Sequence, residues 1–227
     1  MSFMPTAAQW NFLGSSAKYA AIGGGRGTGR SEALLADALR KCRYNSEWHG
    51  VFVSPSYPEM SAGPLARLDQ TLDRLRIEDT VYKHITNTLH FPNGSTLRFV
   101  GLQATAAVDR LSSTAPRQIS IDGLNEFTQD EYEMLRRRVH PGLGRIRATC
   151  YPPADRSSWI RQYFVDKNAR TPGYVAEDYE LVKTGGIAER LRDPDYLQAL
   201  NQLLGPSSRI LTPTGAGRIS RITIDFK

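Results

Sequence analysis

Residues 23–31 read Gly-Gly-Gly-Arg-Gly-Thr-Gly-Arg-Ser. From Gly24 to Ser31 (Gly24, Gly25, Arg26, Gly27, Thr28, Gly29, Arg30, Ser31) the stretch fits the phosphate-loop pattern G-x-x-x-x-G-K-[ST] everywhere except at the lysine, where Arg30 stands. Glycines in such a loop let backbone amides turn inward around a phosphate, and a helix opening at Ser31 aims its positive end at the same anion. The Ser31 hydroxyl is placed to hold Mg2+. A dinucleotide fingerprint fails, because Gly25 and Gly27 need a third glycine at the position of Arg30. The bland alternative is a Gly-rich turn with no ligand. The context argues against it: Lys18–Ile22 is a short apolar run that reads as a buried strand, and Ser31–Arg43 carries Leu34, Leu35, Ala38, Leu39 and Cys42 at helical spacing. Lysine acts at position 30 as a compact charge, whereas guanidinium is wider, planar and prefers paired contacts. Nucleotide binding is expected to survive that change better than hydrolysis.

Such a loop needs a carboxylate at a strand end to complete a magnesium site, and about ninety residues on, Gln118–Asp122 reads as a buried strand ending on Asp122. The next residue, where a water-activating acid is expected, is Gly123. Glu126 has two readings: an acid that a turn aims back at the site, or a favourable charge ahead of the following helix, the second being preferred. That helix starts at a capping box, Thr128-Gln129-Asp130-Glu131, and runs to about Val139 before Pro141-Gly142. Val51–Val53 and Arg145–Cys150 are further strands, stopped by prolines, and residues 64–76 form a leucine-striped helix. Leu89–Phe91 and Thr96–Val100 form a hairpin around Asn93-Gly94. The repeated strand–loop–helix order predicts an α/β P-loop NTPase fold: a mainly parallel sheet with helices on both faces. A core over residues 1–153 is expected, followed by a lid or linker subdomain over 154–227, with a helix at Trp159–Val165, another from Asp193-Pro194, and a last strand at Ile219–Phe226.

The 227 residues, 40% hydrophobic and 23% charged, exclude a disordered, collagenous or coiled-coil chain. Cys42 and Cys150 lie far apart with no ligand spacing and read as buried thiols of a reducing compartment. The histidines (His49, His84, His90, His140) form no metal-binding pattern. No run approaches the roughly 18–20 apolar residues of a membrane span, and no secretory signal opens the chain, so a soluble cytoplasmic protein is expected. The net charge of +6 favours a polyanionic partner. Arg136, Arg137, Arg138, Arg145 and Arg147 cluster, either as a DNA contact or as a solvated helix face and its flank.

With these residues assembled, the chain from about Pro5 to Gly205 resembles the ATPase region of a phage terminase large subunit, the motor that packages DNA into a capsid. PTAAQWNFL is similar to the family's adenine-contacting segment, GGGRGTGRS to its Walker A loop, and FPNGSTLRFVG to the hairpin before its acidic motif. ISIDGLNEF resembles the Walker B strand, usually IDEANEF, while ATCYPP and DPDYLQALNQLLG fall at its coupling motif and late helix. The resemblance implies that Gln9 contacts adenine, residues Gly24 to Ser31 cradle ATP phosphates, and Ser31 and Asp122 serve Mg2+. It further implies that Arg26 stabilises the transferring phosphate. Arg110 is either an arginine finger acting on a neighbouring subunit or a plain loop arginine. Implied partners are double-stranded DNA, a portal and a small terminase subunit, with a ring homo-oligomer at work in the host cytoplasm and no membrane. The departures are Arg30 for lysine, Gly123 for glutamate and Tyr151 for asparagine, and the family's nuclease domain is expected to be absent. Restoring lysine at 30 and glutamate at 123 is therefore expected to recover hydrolysis. Two rival readings stay open: a nucleotide-binding but inactive scaffold, and a helicase-like nucleic-acid ATPase.

Overall fold

The computed structural model describes residues 3–102, 115–152, 155 and 157–185. In chain order the elements are α1 (Ala7–Gly14), β1 (Tyr19–Gly23), α2 (Arg30–Tyr44), β2 (His49–Ser54), α3 (Tyr57–Ala62), α4 (Leu68–Leu75), β3 (Val81–Lys83), β4 (Thr88–His90), β5 (Thr96–Gly101), β6 (Gln118–Ile121), α5 (Gln129–Arg138), β7 (Arg145–Cys150), α6 (Trp159–Phe164) and β8 (Tyr179–Lys183). The strands form a single sheet in the order β3-β4-β5-β2-β6-β7-β1-β8. From β5 to β8 every pairing is parallel; at the other edge β4 is reversed, pairing antiparallel with both β3 and β5. The expected fold class is the observed one.

Alternation along the central strands divides the core into two layers. Tyr19, Ala21, Val51, Val53, Ile119, Ile121, Ile146 and Ala148 face one side, under Tyr132 and Leu135 of α5 and Ile160, Tyr163 and Phe164 of α6. Ala20, Ile22, Phe52, Leu97 and Phe99 face the other, under Phe12 of α1, the apolar stripe of α2, Met60 of α3 and Leu68 and Leu72 of α4. Burial on both faces explains why these strands read as continuous apolar runs.

Three details refine the sequence reading. The helix expected over 64–76 is broken: Leu65–Arg67 forms a 3-10 turn, Arg67 sits at φ −107°, ψ 0°, and α4 restarts at Leu68. The hairpin exists as β4 and β5, and the Asn93 amide donates to the carbonyls of Cys42, Arg43 and Asn45, closing the C-terminal end of α2. Beyond residue 153, α6 packs into the core and β8 extends the sheet in parallel beside β1, so the sheet continues past the boundary drawn at 153. The helix from Asp193-Pro194, the strand at 219–226 and Arg110 lie outside the described residues. Cys42 and Cys150 are buried free thiols, and burial pushes Cys150 up to about 11. Among the described residues no helix is long and apolar enough to cross a membrane.

Candidate nucleotide-phosphate site

The loop between β1 and α2 lies at the C-terminal edge of the parallel strands, the edge where open α/β sheets bind ligands. A Cβ at Gly24 would run into the hydroxyl of Thr184, just after β8, so glycine lets the two segments approach closely. Thr184 is itself fixed by its amide, which donates to Gly23 O at 2.7 Å. Helix α2 starts from Gly29, which has no side chain to cap it, whereas α1 and α5 each begin with a complete capping box from Thr6 and Thr128. The first turn of this 15-residue helix thus has no capping side chain from its N-cap residue, and a helix N-terminus favours an anion.

Facing the loop is the end of β6. The Ser31 hydroxyl donates to Asp122 Oδ1 at 2.8 Å, and the Thr149 hydroxyl donates to the same oxygen at 2.7 Å. Thr149 Oγ1 also accepts from Gly123 N at 2.8 Å, so β7, lying between β1 and β6, fixes the carboxylate in place. Ser31 and Asp122 would together offer hard oxygen atoms of the kind Mg2+ takes, beside the glycine loop.

Gln9 is buried, and its amide spans two elements. Its Oε1 accepts from Thr6 N at 2.8 Å, and its Nε2 donates to Gly29 O at 3.0 Å. The side chain implied to touch adenine is turned toward the phosphate loop, which it ties to α1. Arg26 is exposed, and Thr28 is buried with its hydroxyl on Gly25 O at 2.9 Å.

Arg30 is not aimed like a loop lysine. Its guanidinium donates to Cys150 O and lies over the Tyr151 ring, 4.2 Å from its centroid. Hydrogen bonds from Arg26 first, then Arg30, hold the Tyr151 phenol below its ordinary range. The Tyr151 backbone is gripped by Asn125: Tyr151 N donates to Asn125 Oδ1 at 2.6 Å, and Asn125 Nδ2 donates to Tyr151 O at 3.3 Å. Two of the three departures from the expected pattern therefore touch each other. A lysine at 30 would lose the planar stack that guanidinium makes on the ring.

At the third departure, Gly123 adopts φ 79°, ψ 51°. Any side chain there carries a left-handed penalty of about 1–2 kcal/mol. Its Cβ would also meet Glu126 Oε1 at 3.3 Å. The expected rescue by Arg30→Lys with Gly123→Glu is thus opposed at both positions. We expect Gly123→Glu to lower stability by about 1–2 kcal/mol, read by thermal melting, with no gain in phosphate release over the unaltered chain.

Of the arginine cluster, Arg136 is committed internally. It pairs with Glu133 at 2.8 Å and donates to the carbonyls of Pro172 and Gly173. Arg147 is fully buried. Arg137 is exposed, and Arg138 and Arg145 are half-buried.

No protein-family model matches the chain, and no curated protein does. Solved structures do match. The large terminase of a thermophilic bacteriophage superposes with a TM-score of 0.65 at 12% identity, over 80% of this chain and 45% of that one. The Thermus phage P74-26 large terminase ATPase domain superposes with a TM-score of 0.64 at 16% identity, over 90% of both chains. The chain has the fold of the phage large-terminase ATPase domains. It spans under half of the first of these terminases and nearly the whole P74-26 ATPase domain. The first terminase in complex with ADP also matches, with a TM-score of 0.62 at 12% identity, over 78% of this chain and 44% of that one. Within that fold, the residues brought together are Ser31, at the end of the glycine loop, and Asp122, after β6. Missing from the sequence reading were the Gln9–Gly29 tie and the Arg30–Tyr151 stack, both contacts between segments distant in the chain.

Proposed function

We propose that the chain is the ATP-binding motor module of a phage DNA-packaging terminase, coupling hydrolysis to translocation of double-stranded DNA. The observation that carries this reading is the Ser31–Asp122 hydrogen bond. It joins the first turn of an uncapped helix behind a glycine loop to a strand-end carboxylate, a combination that a plain Gly-rich turn has no need of. In this reading Ser31 and Asp122 hold Mg2+, which supplies charge stabilisation to the transferring phosphate. The loop amides bind the phosphates, Gln9 holds the loop in shape, and Arg26, exposed at the loop's rim, meets the charge that develops on the phosphate. Arg137 and Arg138 are the residues of the α5 cluster offered to DNA. A portal, a small terminase subunit, ring assembly and a cytoplasmic setting belong to the same proposal.

The test is ligand-linked stability. Millimolar ATP with Mg2+ is expected to raise the melting temperature, since a ligand at 100 times its Kd adds about 2.7 kcal/mol to the folded state. Ser31→Ala should weaken the Mg2+ dependence more than the binding itself. Calorimetry with no ATP or ADP binding at millimolar concentration overturns the reading.

A second reading, binding without hydrolysis, is favoured by one observation: the Arg30 guanidinium is occupied by Cys150 O and Tyr151 rather than directed into the loop. Steady-state phosphate release separates the two.

A further inference from the structure

We propose that Glu126 is the acid that orients and deprotonates the attacking water at this phosphate site, taking the space where a side chain on residue 123 would project. The inference rests on the ATP-binding reading above.

The geometry comes from the turn after β6. The positive φ of Gly123 reverses the chain, and Glu126 N donates to Gly123 O at 2.9 Å, closing a 3-10 turn over Leu124–Glu126. That turn is pinned around Glu126. Leu124 and Phe127 are buried in the core, and Asn125 is bonded to the Tyr151 backbone. The result is that Glu126 Oε1 lies 3.3 Å from the point a Cβ of residue 123 would occupy, within reach of the Asp122 charge and still exposed to solvent. An acid needed beside the magnesium carboxylate is present, carried three residues later by a turn that only a left-handed residue 123 permits.

Its surroundings suit a base. Partial desolvation first, then the Glu59 side chain from α3, by charge and by a hydrogen bond, and last the Asp122 carboxylate after β6, hold Glu126 above the usual carboxylate range. A raised proton affinity brings a carboxylate nearer the value that makes an efficient general base. Glu59 is itself held by the Ser56 hydroxyl at 2.9 Å. In the step, a water oxygen attacks the γ-phosphorus of ATP and its proton passes to Glu126. The bond from that phosphorus to the bridging oxygen breaks, ADP leaves with the electron pair, and Glu126 then gives the proton to solvent.

The experiment uses the full chain with ATP and Mg2+, comparing the unaltered protein, Glu126→Gln and Glu59→Gln by calorimetric binding, melting temperature and phosphate release across pH. Glu126→Gln is expected to melt and bind ATP as the unaltered chain does, while releasing phosphate about 10²–10⁴-fold more slowly. Glu59→Gln should keep turnover but move its acidic limb to lower pH, because removing a like charge makes Glu126 easier to ionise. Equal phosphate release by Glu126→Gln and the unaltered chain overturns the proposal. ATP binding without turnover in the unaltered chain also overturns it, leaving the binding reading intact. Absence of ATP binding by the unaltered chain overturns that underlying reading and this proposal with it.

Discussion

Alanine at position 37 is expected to cost about 3–5 kcal/mol of folding stability, the loss typical of breaking a buried ion pair. Asp37, on α2, is almost wholly buried, and its carboxylate lies 3.7 Å from Arg147 Nε and accepts from Gln118 Nε2 at 2.9 Å. Arg147 has no exposed surface, and the one hydrogen bond of its guanidinium among the described residues runs from Nη2 to Ser15 O at 2.7 Å. Burial already works against both charges. It raises the Asp37 carboxyl and lowers the Arg147 guanidinium despite their mutual attraction. Removing only the carboxylate leaves a buried cation uncompensated. Removing both, as Asp37→Leu with Arg147→Met, should recover most of the loss, since buried pairs replaced by apolar groups are often neutral. Urea denaturation of the three variants measures this. An Asp37→Ala variant within about 1 kcal/mol of the unaltered chain would show that water reaches the guanidinium.

The second large effect is at Asp122. Asparagine there keeps an oxygen that accepts from Ser31 and Thr149, so fold and melting temperature should hold, but it removes the negative charge. Binding of ATP should lose its Mg2+ dependence, and phosphate release should fall by about 10²–10³, the scale of losing one preorganised charge-stabilising group. Titration of Mg2+ against the variant checks the charge, and an unchanged response would move the metal away from Asp122.

Much of this was legible because the relevant signals are local. The glycine-rich strand-to-helix loop, the Thr128–Glu131 capping box and the Asn93-Gly94 turn each depend on residues within a few positions, and the structure holds all three. Asp122 was legible as a strand end. What sequence could not supply was partnership across the sheet. Nothing in Tyr179–Lys183 says that it lies parallel to β1, and nothing in Arg30 says that its plane lies on Tyr151, 121 positions away in the chain by the difference of their numbers. The position of Glu126 is hidden for a different reason. It follows from the positive φ at Gly123, a backbone sign that no pattern of neighbouring residues announces.

The Gln9 tie also sets a lower limit on how small a working fragment can be. The loop follows β1, and a fragment cut just ahead of that strand would retain every residue of the phosphate-loop pattern. Yet Gly29 O is held by Gln9, whose own amide oxygen is held by Thr6 N, both from a helix that precedes the sheet. The smallest piece able to present the loop in this shape therefore begins ahead of Thr6. An extension fused directly onto that residue would load the latch of the loop, although it would be nowhere near the loop in sequence.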